Sequence, residues 1–408
     1  MRSFLTSLRL LRRHGLAAAL VCGAAAAGFA APNPIPGPKK DEGFQTAAPY
    51  AILIEADSGS VLFEKAADTL VAPSSMSKLM TAEYVFNEIA QGNLRLEDEF
   101  TVSENAWRKG GAPSHGSTMY AAIHSRIKVD DLLHGMIIQS GNDACIVLAE
   151  GLAGNEIAFA LLMTKRAREL GLMRSTFANS TGLPDPNHRM TVRELALLAQ
   201  HIIATYPEFY QIYGEREFTW NKIRQQNRNP LLTMNVGADG LKTGFTQEGG
   251  YGLVGSGVQN GLRLIVVVNG LKSAKERADE ARKLLDWGFR TFESRILFAE
   301  GETVGEAKLY GADKGRVPLI APRVVRLMVP KGVNEKVIAR VTYTGPVRAP
   351  VVEGQAIGRL KVWRGDIVAL EMPLHAADSA GPGSVSQRAF DALTELVIGL
   401  FRAGTERL

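Results

Sequence analysis

Two apolar runs, one ending at Val258 and the other covering Leu262 to Val268, are separated by Asn260-Gly261. Asn-Gly supplies the positive-φ pair of a tight hairpin turn, and runs rich in Val and Ile favour the pleated conformation. This stretch commits the chain to antiparallel sheet. Upstream, Ala51 to Ile54 and Val61 to Phe63 flank Asp57-Ser-Gly59, a second hairpin pattern. Between the two hairpins the apolar spacing changes to the helical period. Helices are predicted from Ser75 to Ala90 with Gly92 as stop, from Leu132 to Ile138 with Asp130 or Asp131 as cap, and from Asp143 to Leu152. Others are predicted over 156–170, 191–204 and 276–293. From Phe298 to His375 the chain becomes short Val/Ile/Leu-rich runs broken by Gly and Pro, the pattern of a separate all-β domain. The expected layout is an α/β (α+β) domain over 48–296, a β-rich domain over 297–375, a linker over 376–384 and an amphipathic helix over 385–408.

The first 30 residues are of another kind. Arg2, Arg9, Arg12 and Arg13 precede an apolar run from Gly15 to Ala27 and small residues ending at Ala30, with no acid before Asp41. That is the order of a secretory signal peptide, and the run is too short for a bilayer span. Residues 31–47 read as a Pro-rich, polar linker. The leader also explains the charge. The whole chain carries +5, but without those four arginines 43 basic residues face 42 acidic ones, or +1. A near-neutral mature protein gives no support to nucleic-acid binding. Cys22 leaves with the leader and only Cys145 remains, so no internal disulfide can form and the core must hold the fold. Cys145 lies in an apolar helical run and reads as a buried core residue.

The chemistry is expected at Ser75-Met-Ser-Lys78, at the start of a predicted helix. A serine hydroxyl is a weak nucleophile and needs a base within reach; a lysine three residues on lies on the same face. Desolvation beside another cation lets a lysine lose its proton and act as that base, while a helix N-terminus directs N–H groups at developing negative charge. Alone, S-x-x-K is weak, because Ser125-Arg-Ile-Lys128 also matches, and Ser103-Glu-Asn105 competes as an S-x-N. Specificity comes from three motifs in order: Ser75 to Lys78, Ser140-Gly-Asn142 after 65 residues, and Lys242-Thr243-Gly244 after 102 more. Lys242 to Gly244 precede the strong hairpin, which predicts three adjacent antiparallel strands with Lys242 lining a cleft. Gly244 is expected to keep the approach to that cleft open. Gly250 to Gly255 matches G-x-G-x-x-G but lies within a predicted strand, not between a strand and a helix, so it does not read as a nucleotide site. The histidines form no metal-ligand spacing, and no cofactor is expected.

That ordered triplet occurs in penicillin-binding proteins and class A β-lactamases. With the stretches Gln139 to Cys145, Glu217 to Asn221, Gln226 to Asn229, Asp239 to Gly244 and Lys283 to Phe289, the chain resembles the low-molecular-mass penicillin-binding proteins, the exported serine-type D-alanyl-D-alanine carboxypeptidases, from Ala48 to His375. The resemblance implies an antiparallel sheet with helices on both faces, a helical subdomain and the β-rich second domain. It implies that Ser75 attacks the carbonyl between the two terminal D-alanines of the peptidoglycan stem peptide and that Lys78 takes the serine proton. Ser140 would relay that proton toward the leaving amine with Lys242 tuning the field, and Asn142 would orient the substrate amide or Lys78. Thr243 would bind the terminal carboxylate, and the backbone N–H groups of Ser75 and Phe245 would form the oxyanion hole. Arg228 and Arg277 align with basic residues near that site. β-Lactams would be inhibitors.

The terminal helix carries Val385, Ala389, Phe390, Leu393, Leu396, Val397, Leu400 and Phe401 on one stripe, as an interfacial helix does. The resemblance implies peripheral association with the outer face of the cytoplasmic membrane, facing the periplasm. However, Arg388, Arg402 and Arg407 are offset by Asp391, Glu395 and Glu406. Two other functions fit the same scaffold. A class A β-lactamase uses a loop glutamate to activate water, but between Glu169 and Glu194 the chain has no glutamate and its loop offers only Asp185. A non-catalytic peptidoglycan-binding protein would not need the motif residues intact.

Overall fold

A computed structural model describes residues 44–332, 336–365 and 367–393. The predicted leader, the linker up to residue 43 and the terminal helix beyond Leu393 lie outside the described residues. The chain divides into two compact units between Thr291 and Phe292. The sequence reading placed that boundary at 296, because Phe292–Phe298 continues the apolar pattern of the preceding helix although it is a strand.

The first unit is built on a five-stranded antiparallel sheet. Its strands are β1 (Tyr50–Glu55), β2 (Val61–Lys65), β3 (Ala238–Thr246), β4 (Gly250–Gln259) and β5 (Leu262–Leu271), in the order β2-β1-β5-β4-β3. The predicted hairpins are β1–β2 and β4–β5. Asn260 and Gly261 at the second turn have φ of 50° and 76°, the left-handed pair that matches strand twist. The strand bearing Lys242 is thus an edge strand beside the hairpin, as its position in the chain predicts.

Six helices matter for the site: α1 (Lys78–Ala90), α2 (Val129–Ile137), α3 (Asn142–Ala153), α4 (Glu156–Glu169), α5 (Val192–Thr205) and α6 (Ala274–Thr291). Strand alternation sorts the two sheet faces. Ile52, Ile54, Val254, Ile265 and Val267 join one core with Leu79, Phe86 and Leu195 of the helices. Leu53 and Leu264 turn the other way, toward α6, where a Cβ on Gly288 would come within 2.6 and 2.7 Å of them. Each fully buried Leu, Ile or Phe contributes about 1.5–3 kcal/mol, so a core of this extent stabilises the unit without a disulfide. Asp130 and Asp131 lie in the first turn of α2, which Lys128 caps, and do not form the cap themselves. Packing begins before Ala48: Phe44 meets Phe63 edge-on and lies tilted against Trp287, and Thr46 Oγ1 donates to Glu280 at 2.6 Å.

The second unit is all-β. A two-stranded sheet pairs Phe292–Phe298 with Val325–Pro330. A six-stranded sheet contains Val337–Tyr343, Ala356–Arg364 and Ile367–Ala376, all anticipated from the Val-rich runs. It also contains Thr303–Tyr310 and Arg316–Ile320. Residues 385–393 are helical, with Val385, Phe390 and Leu393 exposed. Among the described residues no single helix is long and apolar enough to cross a membrane.

Candidate active site

Ser75 sits in a 3-10 turn, Ser74–Ser77, that leads directly into α1. The sequence pattern predicted an α-helical start; the tighter turn has three residues per turn, so residues 75 and 78 eclipse. The side chains meet accordingly: Lys78 Nζ lies 3.0 Å from Ser75 Oγ. Ser74 has φ of 52°, a left-handed position that costs a non-glycine residue of order 1–3 kcal/mol and must be held by its surroundings. Its Oγ lies 2.9 Å from Thr246 Oγ1 at the end of β3, and its carbonyl accepts from Ser77 Oγ at 3.0 Å.

The lysine is enclosed. Lys78 is 1% exposed, and its Nζ also donates to Asn142 Oδ1 at 2.8 Å and to the Thr181 carbonyl at 2.6 Å. No carboxylate pairs with it among the described residues. Burial lowers its pKa, Arg228 adds to that, and Cys145 and Asp143 oppose it. A neutral amine has two N–H groups and one lone pair. The Asn142 and Thr181 oxygens match the two N–H groups, which leaves the lone pair for the Ser75 hydroxyl.

Asn142 begins α3, and Ser140 precedes it at φ 66°, again left-handed. Ser140 Oγ is buried without a hydrogen-bond partner among the described residues. The motif is fixed by Asp143, which the sequence reading did not single out. Its buried carboxylate accepts from Thr118 Oγ1 at 2.6 Å and from the N–H groups of Met119, Ala121 and Ala144 at 2.9–3.0 Å. This pins loop 117–121 to the start of α3, and Asn142 N donates to the Ser117 carbonyl at 2.7 Å. The other missed element is loop 179–182. Asn179 Oδ1 accepts from Thr181 N and Gly182 N at 3.1 and 2.8 Å, and so shapes the turn that presents the Thr181 carbonyl. The only available sequence signal was Asn179-Ser-Thr-Gly182, a turn composition.

Lys242 and Thr243 are 2% and 6% exposed on β3. Burial lowers the Lys242 pKa well below the ordinary lysine value, with Lys78, Arg228 and Arg277 acting in the same direction. Gly244 has a different reason from the one expected. A Cβ there would lie 3.0–3.2 Å from Pro73 O, Ser74 Cβ and Met76 Cγ, so the residue is small because β3 packs against the nucleophile's own turn. Alternation places Lys242 on that same face and Thr243 and Phe245 on the other. Phe245 is 44% exposed, stacked on its cross-strand partner Tyr251 with centroids 4.2 Å apart. Arg228 Nη1 donates to Ser117 Oγ at 2.7 Å, and the Arg277 guanidinium lies over the Tyr251 ring at 5.7 Å.

The rival motifs take no part in this site. Ser125 is half-buried and followed by the strand Arg126–Lys128, so no turn brings its lysine back. Ser103 caps the short helix Glu104–Gly110, and Asn105 donates to Glu150 at 2.8 Å. Asp185 accepts from Asn187 N at 2.8 Å in a turn of its own. Cys145 is buried, its Sγ donates to the Gly141 carbonyl, and burial pushes its thiol up to about 12.

This chain is similar to known proteins along most of its length. A family model described as D-alanyl-D-alanine carboxypeptidase matches residues 37–273, and one described as the C-terminal domain of penicillin-binding protein 5 matches residues 292–380. The D-alanyl-D-alanine carboxypeptidase DacA of Haemophilus influenzae is 36% identical over 362 residues, which is 88% of this chain and 91% of that protein. The crystal structure of penicillin binding protein 5 from Haemophilus influenzae superposes with a TM-score of 0.73 at 35% identity, covering 83% of this chain and 99% of that one. Penicillin-binding protein D2 from Listeria monocytogenes, in its ampicillin-bound form, superposes at 0.55 with 29% identity, covering 60% of this chain and 99% of that one.

Proposed function

The chain belongs to the D-alanyl-D-alanine carboxypeptidase family and is a serine-type hydrolase acting on D-Ala-D-Ala peptides of the bacterial cell wall, and on that premise we propose how its residues divide the work. Ser75 attacks the carbonyl between the terminal D-alanines. As its Oγ–C bond forms, its proton passes to the neutral Lys78 amine. The scissile C–N bond then breaks, and the leaving D-alanine amine collects a proton through Ser140. Water hydrolyses the acyl-enzyme and releases the shortened peptide. The observation that carries this reading is the 3.0 Å approach of a buried lysine, with no carboxylate partner among the described residues, to Ser75 Oγ.

Asn142 holds the Lys78 amine, Arg228 adds to the burial that favours its neutral form, and Lys242 tunes the field around Ser140. The N–H groups of Ser75 and Phe245 receive the oxyanion, which removes water from a position where fixed donors act most strongly. Thr243, Phe245, Tyr251 and Arg277 share one side of the edge strand, which supports Thr243 and Arg277 as the receivers of the terminal carboxylate. Arg228 lies on the Asn142 side and acts there through its field. β-Lactams acylate the same Ser75.

Location is part of the proposal. The Arg-rich leader directs export to the periplasm. The exposed Val385, Phe390 and Leu393 at the start of the terminal helix support peripheral attachment to the outer face of the cytoplasmic membrane. Fluorescent penicillin and a D-Ala-D-Ala peptide, given to the mature protein and to Ser75→Ala, test the chemistry. Stable labelling and D-alanine release, both lost in the variant, are expected. Label persisting on Ser75→Ala would overturn the choice of nucleophile, and fast penicillin turnover without peptide cleavage would point to a β-lactamase. Removing the chain after Ser384 should release the protein from membranes; unchanged association would end the anchor reading.

A further inference from the structure

Arg277 is an unusual cation for a helix start. Its backbone N–H donates to the Ser273 carbonyl in the first turn of α6, yet its side chain has no carboxylate partner among the described residues. Its Nε is buried with no hydrogen-bond partner among them. The neighbouring acid, Glu276, is engaged elsewhere, accepting from Lys272 N at 2.9 Å. A half-buried guanidinium with five donors and no acid would be free to choose many rotamers. What it does have is a ring: its Cζ lies 5.7 Å from the Tyr251 centroid.

That ring is itself held. Tyr251 faces Phe245 directly across the β3–β4 ladder, and the two rings stack at 4.2 Å with 28° between planes. Gly250 and Gly252 flank Tyr251 and leave its strand close to the neighbouring backbone. A Cβ on Gly252 would come within 2.5 Å of Met76 Cε, under the nucleophile turn. The aromatic pair is therefore tied to the same edge strand as Thr243, two residues before Phe245 and on the same face. The ring fixes where the guanidinium can lie relative to Thr243.

We infer that Tyr251, braced by Phe245, is a positioning residue that holds the Arg277 guanidinium beside Thr243 in readiness for the substrate's terminal carboxylate. This rests on the proposed role of Arg277 as a carboxylate receiver. A cation over an aromatic face is preorganised without a competing anion, so the guanidinium keeps its donors for the ligand. The ring's π-face does the holding, so phenylalanine should replace tyrosine and an aliphatic residue should not.

The test uses the full mature protein and steady-state D-alanine release from a D-Ala-D-Ala peptide. Tyr251→Leu should raise KM about five- to ten-fold with kcat within about two-fold, a size typical of a desolvated cation–π contact. Tyr251→Phe should stay within about two-fold on both constants. Arg277→Gln should raise KM more, and adding Tyr251→Leu to it should change nothing further. Fluorescent-penicillin labelling and the unfolding midpoint of each variant report whether the site and fold persist. Additive effects of the two substitutions, or a fall in kcat alone, would overturn the positioning role while leaving the carboxylate reading in place. An unchanged KM in Arg277→Gln would overturn the carboxylate reading of Arg277, and this inference with it.

Discussion

Helix α1 buries two charged side chains little more than one turn apart, and they are treated in opposite ways. Glu83 is fully buried and surrounded by donors: Arg166 approaches at 2.8 Å, His201 Nε2 at 3.1 Å and the Tyr206 hydroxyl at 3.4 Å. Lys78, equally buried, meets a hydroxyl, an amide oxygen and a carbonyl. A paired buried charge is a structural joint, since breaking it leaves the partner uncompensated. An unpaired buried lysine minimises its cost by giving up its proton, which is the state a general base requires. The helix thus carries a rivet and a reagent, told apart by whether an opposite charge has been supplied.

Substituting each residue should separate the two roles. Lys78→Met is expected to lower the acylation rate by about 10^3-fold, within the usual range for a lost general base, with an unfolding midpoint equal to or above that of the parent. A fall in stability together with near-normal penicillin labelling would reverse the assignment. Glu83→Gln should do the opposite. It should cost about 4 kcal/mol in denaturant unfolding, typical of a broken buried pair, with kcat and KM little changed. If kcat collapses while stability holds, Glu83 is not the rivet.

His188 sharpens the contrast, because it is buried with no acid paired to it among the described residues and takes none of the steps proposed above. Burial holds its pKa down at about 4, Lys78 and Arg189 act the same way, and Asp185 opposes. Its ordinary value is 6.5, so between those two values the unfolded chain binds the extra proton. Stability from this group is complete above about pH 6.5 and is lost as pH falls toward 4, by up to about 3 kcal/mol. Unfolding of the parent and of His188→Gln, compared from pH 7 to 4, should converge in acid; parallel curves would exclude the linkage. The smallest effect is expected from Arg228→Gln. Arg228 helps depress both lysines, so its removal should move the acid limb of the acylation pH profile upward by less than about one unit. A downward shift would show that its field acts elsewhere.

Much of the fold and part of the site could be read from the chain. The Asn260-Gly261 turn fixed a hairpin, and the hairpin placed Lys242 on an adjacent edge strand. Ser75 and Lys78 share a face at any helical spacing, although only the structure shows the tighter turn that eclipses them. The strand Phe292–Phe298 was hidden because its apolar residues continue the amphipathic pattern of α6. Asp143 and the Thr181 carbonyl were invisible for another reason. One works through backbone N–H groups of a distant loop, and the other is a main-chain atom that any residue could supply. Gly244 shows a further limit: the residue was legible as a position of close approach, but what approaches is Ser74 and Met76 of the chain itself.

The lack of a carboxylate paired with Lys78 or Lys242 among the described residues also makes the pocket exchange protons with its ligand. An anion that comes to rest beside these lysines favours their charged forms, so by linkage its binding draws a proton from solvent and weakens as pH rises. Attack by Ser75 makes the reverse demand, because it needs the amine bare. Recognition and bond-making therefore pull in opposite directions along the pH axis. Calorimetry in buffers of different ionisation enthalpy would show the pull as a proton count on binding, separate from any measurement of rate.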